Sequence, residues 1–235
     1  PIVAEVARFA LLATLFSEGL RTGVRELASS WRLPGRALLV GLPLALLGTA
    51  LLAHWLAGLT WLQAFLLGAV LTPTDPVFAT AIVRQEDLSQ GLRQLLNIES
   101  GLNDGLALPV VLVCLGRLTG AGTGDLVLPI VGGVALGVAV PFVTDRLERS
   151  RFFGAEVSYR PLAAFAVALV IVALAELTGA NEFLAAFAGG VTVIALRPEI
   201  SSAFRGFAES LADLLKFAGL FVFGALLSPN LVANI

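Results

Sequence analysis

Between Ala37 and Val83 the chain reads ALLVGLPLALLGTALLAHWLAGLTWLQAFLLGAVLTPTDPVFATAIV, 47 residues in which Asp75 is the only Asp, Glu, Lys or Arg. An α-helix needs about 20 consecutive apolar residues to cross the hydrocarbon core of a bilayer, and this stretch holds two such lengths, parted at Gly58. A second run, Leu126 to Thr144, carries no charge at all. Over the whole 235 residues 57% are apolar and 14% charged, against about 25% charged in an ordinary soluble domain. Such a chain lacks the charge to cover its surface in water. The sequence therefore predicts an all-α, polytopic transmembrane helix bundle forming one domain over residues 1–235.

Working outward, eight apolar segments are legible: Ile2 to Phe16, Ala37 to Ala57, Trp61 to Val83, Leu95 to Leu115, Leu126 to Thr144, Leu162 to Leu177, Phe183 to Leu196 and Leu211 to Leu227. The first and seventh are short for a span. The seventh is expected to extend back through Asn181, and the first to be cut by the start of the chain, which opens inside an apolar run without Met. Links near residues 17–36, 84–94, 145–161 and 197–210 carry twelve of the fifteen basic residues, and the intervening links carry only Arg117. Basic loops stay on the cytoplasmic side. The first segment therefore runs inward and the chain ends outside. Gly132, Gly133 and Gly137 suit close helix packing.

Composition removes several functions. Net charge is −2 with no basic tract, so no nucleic-acid partner is indicated. The single cysteine, Cys114, permits no intrachain disulfide and reads as core filler. No cofactor is called for.

Ionisable groups inside a membrane are costly unless paired or facing water, so each is a candidate for function. Asp75, Glu99, Asp104 and Glu176 qualify. Asp75 lies in Thr72-Pro73-Thr74-Asp75-Pro76, where two prolines three apart remove helical N–H donors and clash with the preceding turn. A broken helix at membrane depth survives only where it is buried in protein or lines a cavity. The pattern reads as a discontinuous helix holding an ion or substrate; a proline kink with a solvated acid is the plainer alternative.

The next segment carries Glu99-Ser100-Gly101-Leu102-Asn103-Asp104-Gly105. Residues four apart share a helix face, which pairs Ser100 with Asp104 and Glu99 with Asn103. A hydroxyl beside a carboxylate offers hard oxygen ligands to a small cation, and a buried carboxylate takes either a cation or a proton. The bland alternative is a polar network joining two helices.

Gly68-Ala69-Val70-Leu71-Thr72-Pro73-Thr74-Asp75-Pro76-Val77 followed by Glu99-Ser100-Gly101-Leu102-Asn103-Asp104-Gly105 closely resembles the monovalent cation:proton antiporters of the NhaP/NHE type. Leu15-Phe16-Ser17-Glu18-Gly19-Leu20, Phe183-Leu184-Ala185-Ala186-Phe187-Ala188-Gly189-Gly190, and Phe207-Ala208-Glu209 leading to Leu214-Leu215-Lys216 agree with prokaryotic members, so the likeness covers nearly the whole chain. The resemblance implies exchange of Na⁺, Li⁺ or K⁺ for H⁺ across a prokaryotic inner or plasma membrane, by alternating access in an inverted-repeat fold, as a homodimer. It implies that Asp104 alternately binds cation and proton, with Asp75, Ser100 and the Thr74 backbone carbonyl completing a Na⁺ site. Asn103 stands where other branches have a second Asp, which implies electroneutral exchange. Glu99 would pair with an Arg from a later Gly-Gly-Leu-Arg-Gly type segment; neither that segment nor the second broken helix occurs before Ile235, so the chain is expected to be part of a longer antiporter, incomplete at both ends. Glu18 would lie near the ion path.

Other groups have plainer readings. Glu176 and Glu182 flank a turn at Gly179 and suit an interfacial position. Glu209, Asp213 and Lys216 share a face as a self-compensating stripe. His54 beside Trp55 suits the outer interface. Gly122-Thr123-Gly124-Asp125 spells the GxGD signature of intramembrane aspartyl proteases, but in a short outer link and without the partner Tyr-Asp motif. An uncoupled cation channel or a non-transporting membrane scaffold is the remaining alternative.

Overall fold

The computed structural model describes residues 2–22, 32–73, 90–148, 160–197 and 201–226, and all regular structure among them is helical. The helices are α1 (Ile2–Arg21), α2 (Arg32–Arg36), α3 (Leu42–Ala57), α4 (Trp61–Leu71), α5 (Gln90–Leu118), α6 (Thr123–Glu148), α7 (Arg160–Thr178), α8 (Glu182–Leu196) and α9 (Ser201–Leu226). A single π turn, Ala37–Gly41, joins α2 to α3 without a break. Each of the eight apolar segments contributes a helix over its described residues. Among the described residues, three stretches are long and apolar enough to cross a bilayer: Pro34–Ala57, Gly101–Leu118 and Thr123–Glu148.

Local chemistry explains where the helices stop. Three short links turn at Gly58, Gly120 and Gly179, all with positive φ (67°, 83° and 71°), a conformation that only glycine adopts without steric cost. Asn181 does not extend α8 backward as its apolar context suggested. Its side-chain oxygen accepts the Leu184 N–H at 2.9 Å and caps the helix, a contact worth about 1 kcal/mol. α4 ends at Leu71, with Thr72 and Pro73 in a bend. This is where a proline, having no N–H and restricting the residue before it, is expected to end regular bonding. Whether helix resumes lies outside the described residues.

The helices form two groups. α8 sits at the centre of the first, packed on α1, α6 and α7, while α9 covers the other side of α1. The core of this group joins Leu12, Phe16 and Leu20 of α1 to Val167, Ile171 and Ala175 of α7 and Ala185, Ala186 and Val193 of α8. Small residues set these distances, because helices in lipid associate through close backbone packing. A Cβ on Gly137 of α6 would stand 2.5 Å from the Ala185 carbonyl oxygen and 2.9 Å from the Gly189 nitrogen. The second group is α2–α5, where Ala50, Ala53 and Ala64 make a small core between α3 and α4. α5 forms the seam between the groups, touching α1, α6 and α8.

The outer surface is apolar: Leu56, Leu128, Leu177 and Phe221 are each more than three-quarters exposed. That is the arrangement of a protein solvated by lipid. Charges gather at helix ends. At the basic end, Arg197 Nε donates to Asp145 Oδ1 at 2.6 Å and its second nitrogen meets Glu148 at 2.5 Å. At the other end, Arg8 of α1 forms a two-pronged pair with Glu182, and lies 3.6 Å from Glu176 and 3.5 Å from Glu5. Glu182 is thus the ion-pair partner of Arg8, and Glu176 stays largely exposed.

Candidate cation and proton site

Among the described residues the buried polar or charged side chains are Ser17, Glu18, Thr22 and Asn103. Three lie on the last turns of α1 and its end, and the fourth on α5. The interior polarity of the bundle is therefore concentrated where α1 meets the seam helix.

Glu18 is at the heart of it. Its carboxyl lies within interaction range of that of Asp104 on α5, with Lys216 and Arg21 in electrostatic range. Glu18 Oε2 is buried and makes no hydrogen bond among the described residues. Two carboxyls close together in a low-dielectric interior repel when charged, and neighbouring positive charge offsets that repulsion.

The surroundings fix the pair in place. The Asn103 side-chain oxygen accepts the Asp104 N–H at 2.8 Å. One turn later, Pro109 lies inside α5, and because proline has no N–H the Gly105 carbonyl loses its helical donor. Gly105 itself packs against Phe187 of α8, whose ring occupies the space a Cβ would need. An aromatic side chain therefore closes on α5 beside Asp104.

Of the residues singled out from sequence, Asp104, Asn103 and Glu18 come together. Glu99 is half-buried on the same helix, with no ion pair among the described residues. Thr74 and Asp75 lie outside the described residues, as does the Ser100 side chain, although Ser100 is in α5 one turn before Asp104. No group of three or more His, Cys, Asp or Glu able to hold a metal is found among the described residues. The position of Lys216 near Glu18 was not foreseen, because a stripe of charges along one helix says nothing of a partner on another. His54 is engaged locally, with Nδ1 2.6 Å from the Leu59 carbonyl oxygen and its ring stacked on Trp61 at 4.0 Å. Asp125 of the GxGD match is exposed and accepts the Gly122 N–H at 3.1 Å. That is a helix-start contact and not a buried acid dyad.

The fold defines a multi-pass membrane protein with acidic side chains brought together in its interior. The description "Sodium/hydrogen exchanger, transmembrane" matches residues 1–233, and the chain belongs to that family, whose members are transporters and not enzymes. It is 30% identical over 194 residues to the uncharacterized Na⁺/H⁺ exchanger YjcE of Escherichia coli, covering 76% of this chain and 34% of that protein. It is 28% identical to the K⁺/H⁺ antiporter NhaP of Alkalimonas amylolytica, covering 80% and 34%. To the sodium, potassium, lithium and rubidium/H⁺ antiporter of Bacillus subtilis it is 30% identical, covering 76% and 28%. The chain thus spans about a third of the length of these relatives.

Proposed function

We propose that this chain supplies the ion-binding part of a secondary transporter that exchanges Na⁺, Li⁺ or K⁺ for H⁺, one for one, by competition of the two ions for Asp104. The observation that carries this reading is the buried Glu18 carboxyl at the end of α1, its Oε2 unpartnered among the described residues, within interaction range of Asp104 on α5. In the proton-loaded state one proton serves the pair; a cation entering takes its place, and the proton leaves to the open side. Asp75, Ser100 and the Thr74 carbonyl complete the cation shell, with no bound cofactor. Asn103 contributes a neutral amide, so each cycle carries one charge each way and is electroneutral. The seam between the two helix groups is the plane on which alternating access operates, in a homodimer. The names of the relatives, which include sodium, potassium, lithium and rubidium, support a monovalent cargo.

The test is cation-driven proton flux by the full-length protein in proteoliposomes, with Na⁺ and K⁺ in separate runs. Proton movement on cation addition, unaltered when membrane voltage is clamped, is the expected result. Cation flow without proton movement would favour an uncoupled channel, and no ion movement a scaffold.

A further inference from the structure

Thr22 is the most buried of the interior polar residues, at 1% exposure. It stands at the end of α1, where its N–H meets the carbonyls of Glu18 and Gly19 at 3.1 and 3.2 Å. Its hydroxyl lies 3.1 Å from the Glu18 carbonyl oxygen and 3.0 Å from the carbonyl oxygen of Gly101, 79 residues away on α5. Those two acceptors belong to the two halves of the carboxyl pair: Glu18 itself, and the turn of α5 that leads to Asp104. The contact is tight, since a Cβ on Gly101 would stand 3.3 Å from Thr22 Oγ1 and 3.5 Å from its Cα.

A hydroxyl has one hydrogen to donate. Thr14, Thr144 and Thr192 each donate theirs to the carbonyl four residues earlier, at 2.9, 2.9 and 2.7 Å. Thr22 has that intrahelical option too, so the bond to Gly101 can open without stranding a buried donor. The Gly101 carbonyl, inside α5, keeps its helical partner. A cross-seam bond that can be made and broken without leaving an unsatisfied group is a reversible fastener, unlike the two-pronged Arg8–Glu182 pair, whose opening would leave a partly buried charge without its partner.

We propose that Thr22 is a positioning residue for ion exchange: its hydroxyl fastens α1 to α5 across the seam, holds the Glu18 and Asp104 carboxyls at binding distance, and releases when the helix groups separate. The role in exchange rests on the function proposed above; the fastening does not. Removing the donor depopulates the assembled site, and apparent affinity falls by the fraction lost.

The test uses the full-length protein with Thr22→Val, which keeps the shape and removes the donor, and Thr22→Ser, which keeps the donor. In proteoliposomes, Thr22→Val should raise the half-saturating Na⁺ concentration about threefold to tenfold, the range one neutral hydrogen bond supports, without lowering the maximal rate; Thr22→Ser should stay within about twofold of wild type. A merely structural role would lower the amount of active protein and the maximal rate instead. Hydrogen–deuterium exchange over residues 19–22 and 101–105 reads the fastening independently, with faster exchange in Thr22→Val and not in Thr22→Ser. Wild-type protein without cation-driven flux, but with that exchange difference, would overturn the transport reading and leave the fastening standing. Unchanged affinity, or unchanged protection in Thr22→Val, overturns the proposal for Thr22.

Discussion

Gly19 of α1 and Gly190 of α8 cross backbone to backbone: a Cβ on Gly190 would run into the Phe16 carbonyl oxygen and stand 3.0 Å from the Leu20 nitrogen, and one on Gly19 would stand 2.9 Å from the Val191 nitrogen. The crossing is one residue from Glu18, so the packing of α1 on α8 and the placement of the carboxyl share one contact. Gly190→Ala forces two backbones apart, and overpacking of this kind costs about 1–3 kcal/mol. Gly48→Ala, where nothing lies within 4 Å, should be neutral or stabilising by up to about 1 kcal/mol through helix propensity. Thermal unfolding of the detergent-solubilised full-length protein distinguishes the two; equal effects would contradict the close crossing.

At the opposite end of α1, Arg8 holds Glu182 with two nitrogens but reaches Glu176 only at 3.6 Å. Glu182 is 17% exposed and Glu176 65%, so desolvation makes the first pairing matter and solvent screens the second. Double-mutant cycles of Arg8→Ala with Glu182→Ala and with Glu176→Ala, read by thermal stability, should give clear coupling in the first and little in the second.

Glu99 is half-buried and has no ion pair among the described residues. A carboxylate in that position needs a counter-charge or a proton, and the resemblance supplies one in an Arg on a later helix. Glu99→Ala in the full-length protein should therefore lower thermal stability more than it changes the half-saturating cation concentration. Wild-type stability together with weakened cation use would reassign Glu99 to the ion shell.

Much of the architecture was legible because lipid simplifies the problem. Apolar runs map directly onto helices, which satisfy every backbone group without water, and Gly58 and Gly179 marked turns between them. Pro73 marked the end of α4. What was not legible depends on partners distant in sequence. The bidentate grip of Arg8 on Glu182, the reach of Lys216 toward Glu18 and the bond from Thr22 to Gly101 leave no periodic trace, since each joins residues whose spacing is set by helix packing. Asn181 misled for a local reason: beside an apolar run it resembles the first residue of a span, but its short side chain favours the cap. Within the site, Asp104 and Asn103 could be picked out by their depth in an apolar helix, whereas Glu18 was placed near the ion path by resemblance alone, and its approach to Asp104 and Lys216 depends on how α1 packs against its neighbours.

Asn103 separates stoichiometry from binding. Its side-chain oxygen already accepts the Asp104 N–H, and Asn103→Asp adds a second acid beside the first. The variant should move an extra proton per cycle and make transport respond to membrane voltage, by about 2.3 kcal/mol per charge per 100 mV. Flux measured with and without a potassium–valinomycin voltage clamp checks this; a voltage-insensitive variant would remove Asn103 from the account of electroneutrality.

The central claim is that cation and proton compete at Asp104, and the most direct measurement is cation-driven proton flux as a function of Na⁺ concentration at several pH values in proteoliposomes, for the full-length protein and its Asp104→Asn variant. If one carboxyl pair serves both ions, each ligand weakens the other, and below the site's own pKa a tenfold rise in proton concentration should raise the apparent cation constant up to about tenfold, levelling off above that pKa. Asp104→Asn should fold and lose coupled exchange altogether. Robust exchange in the variant, or a cation constant that stays fixed across about two pH units where linkage requires it to move, would contradict the account.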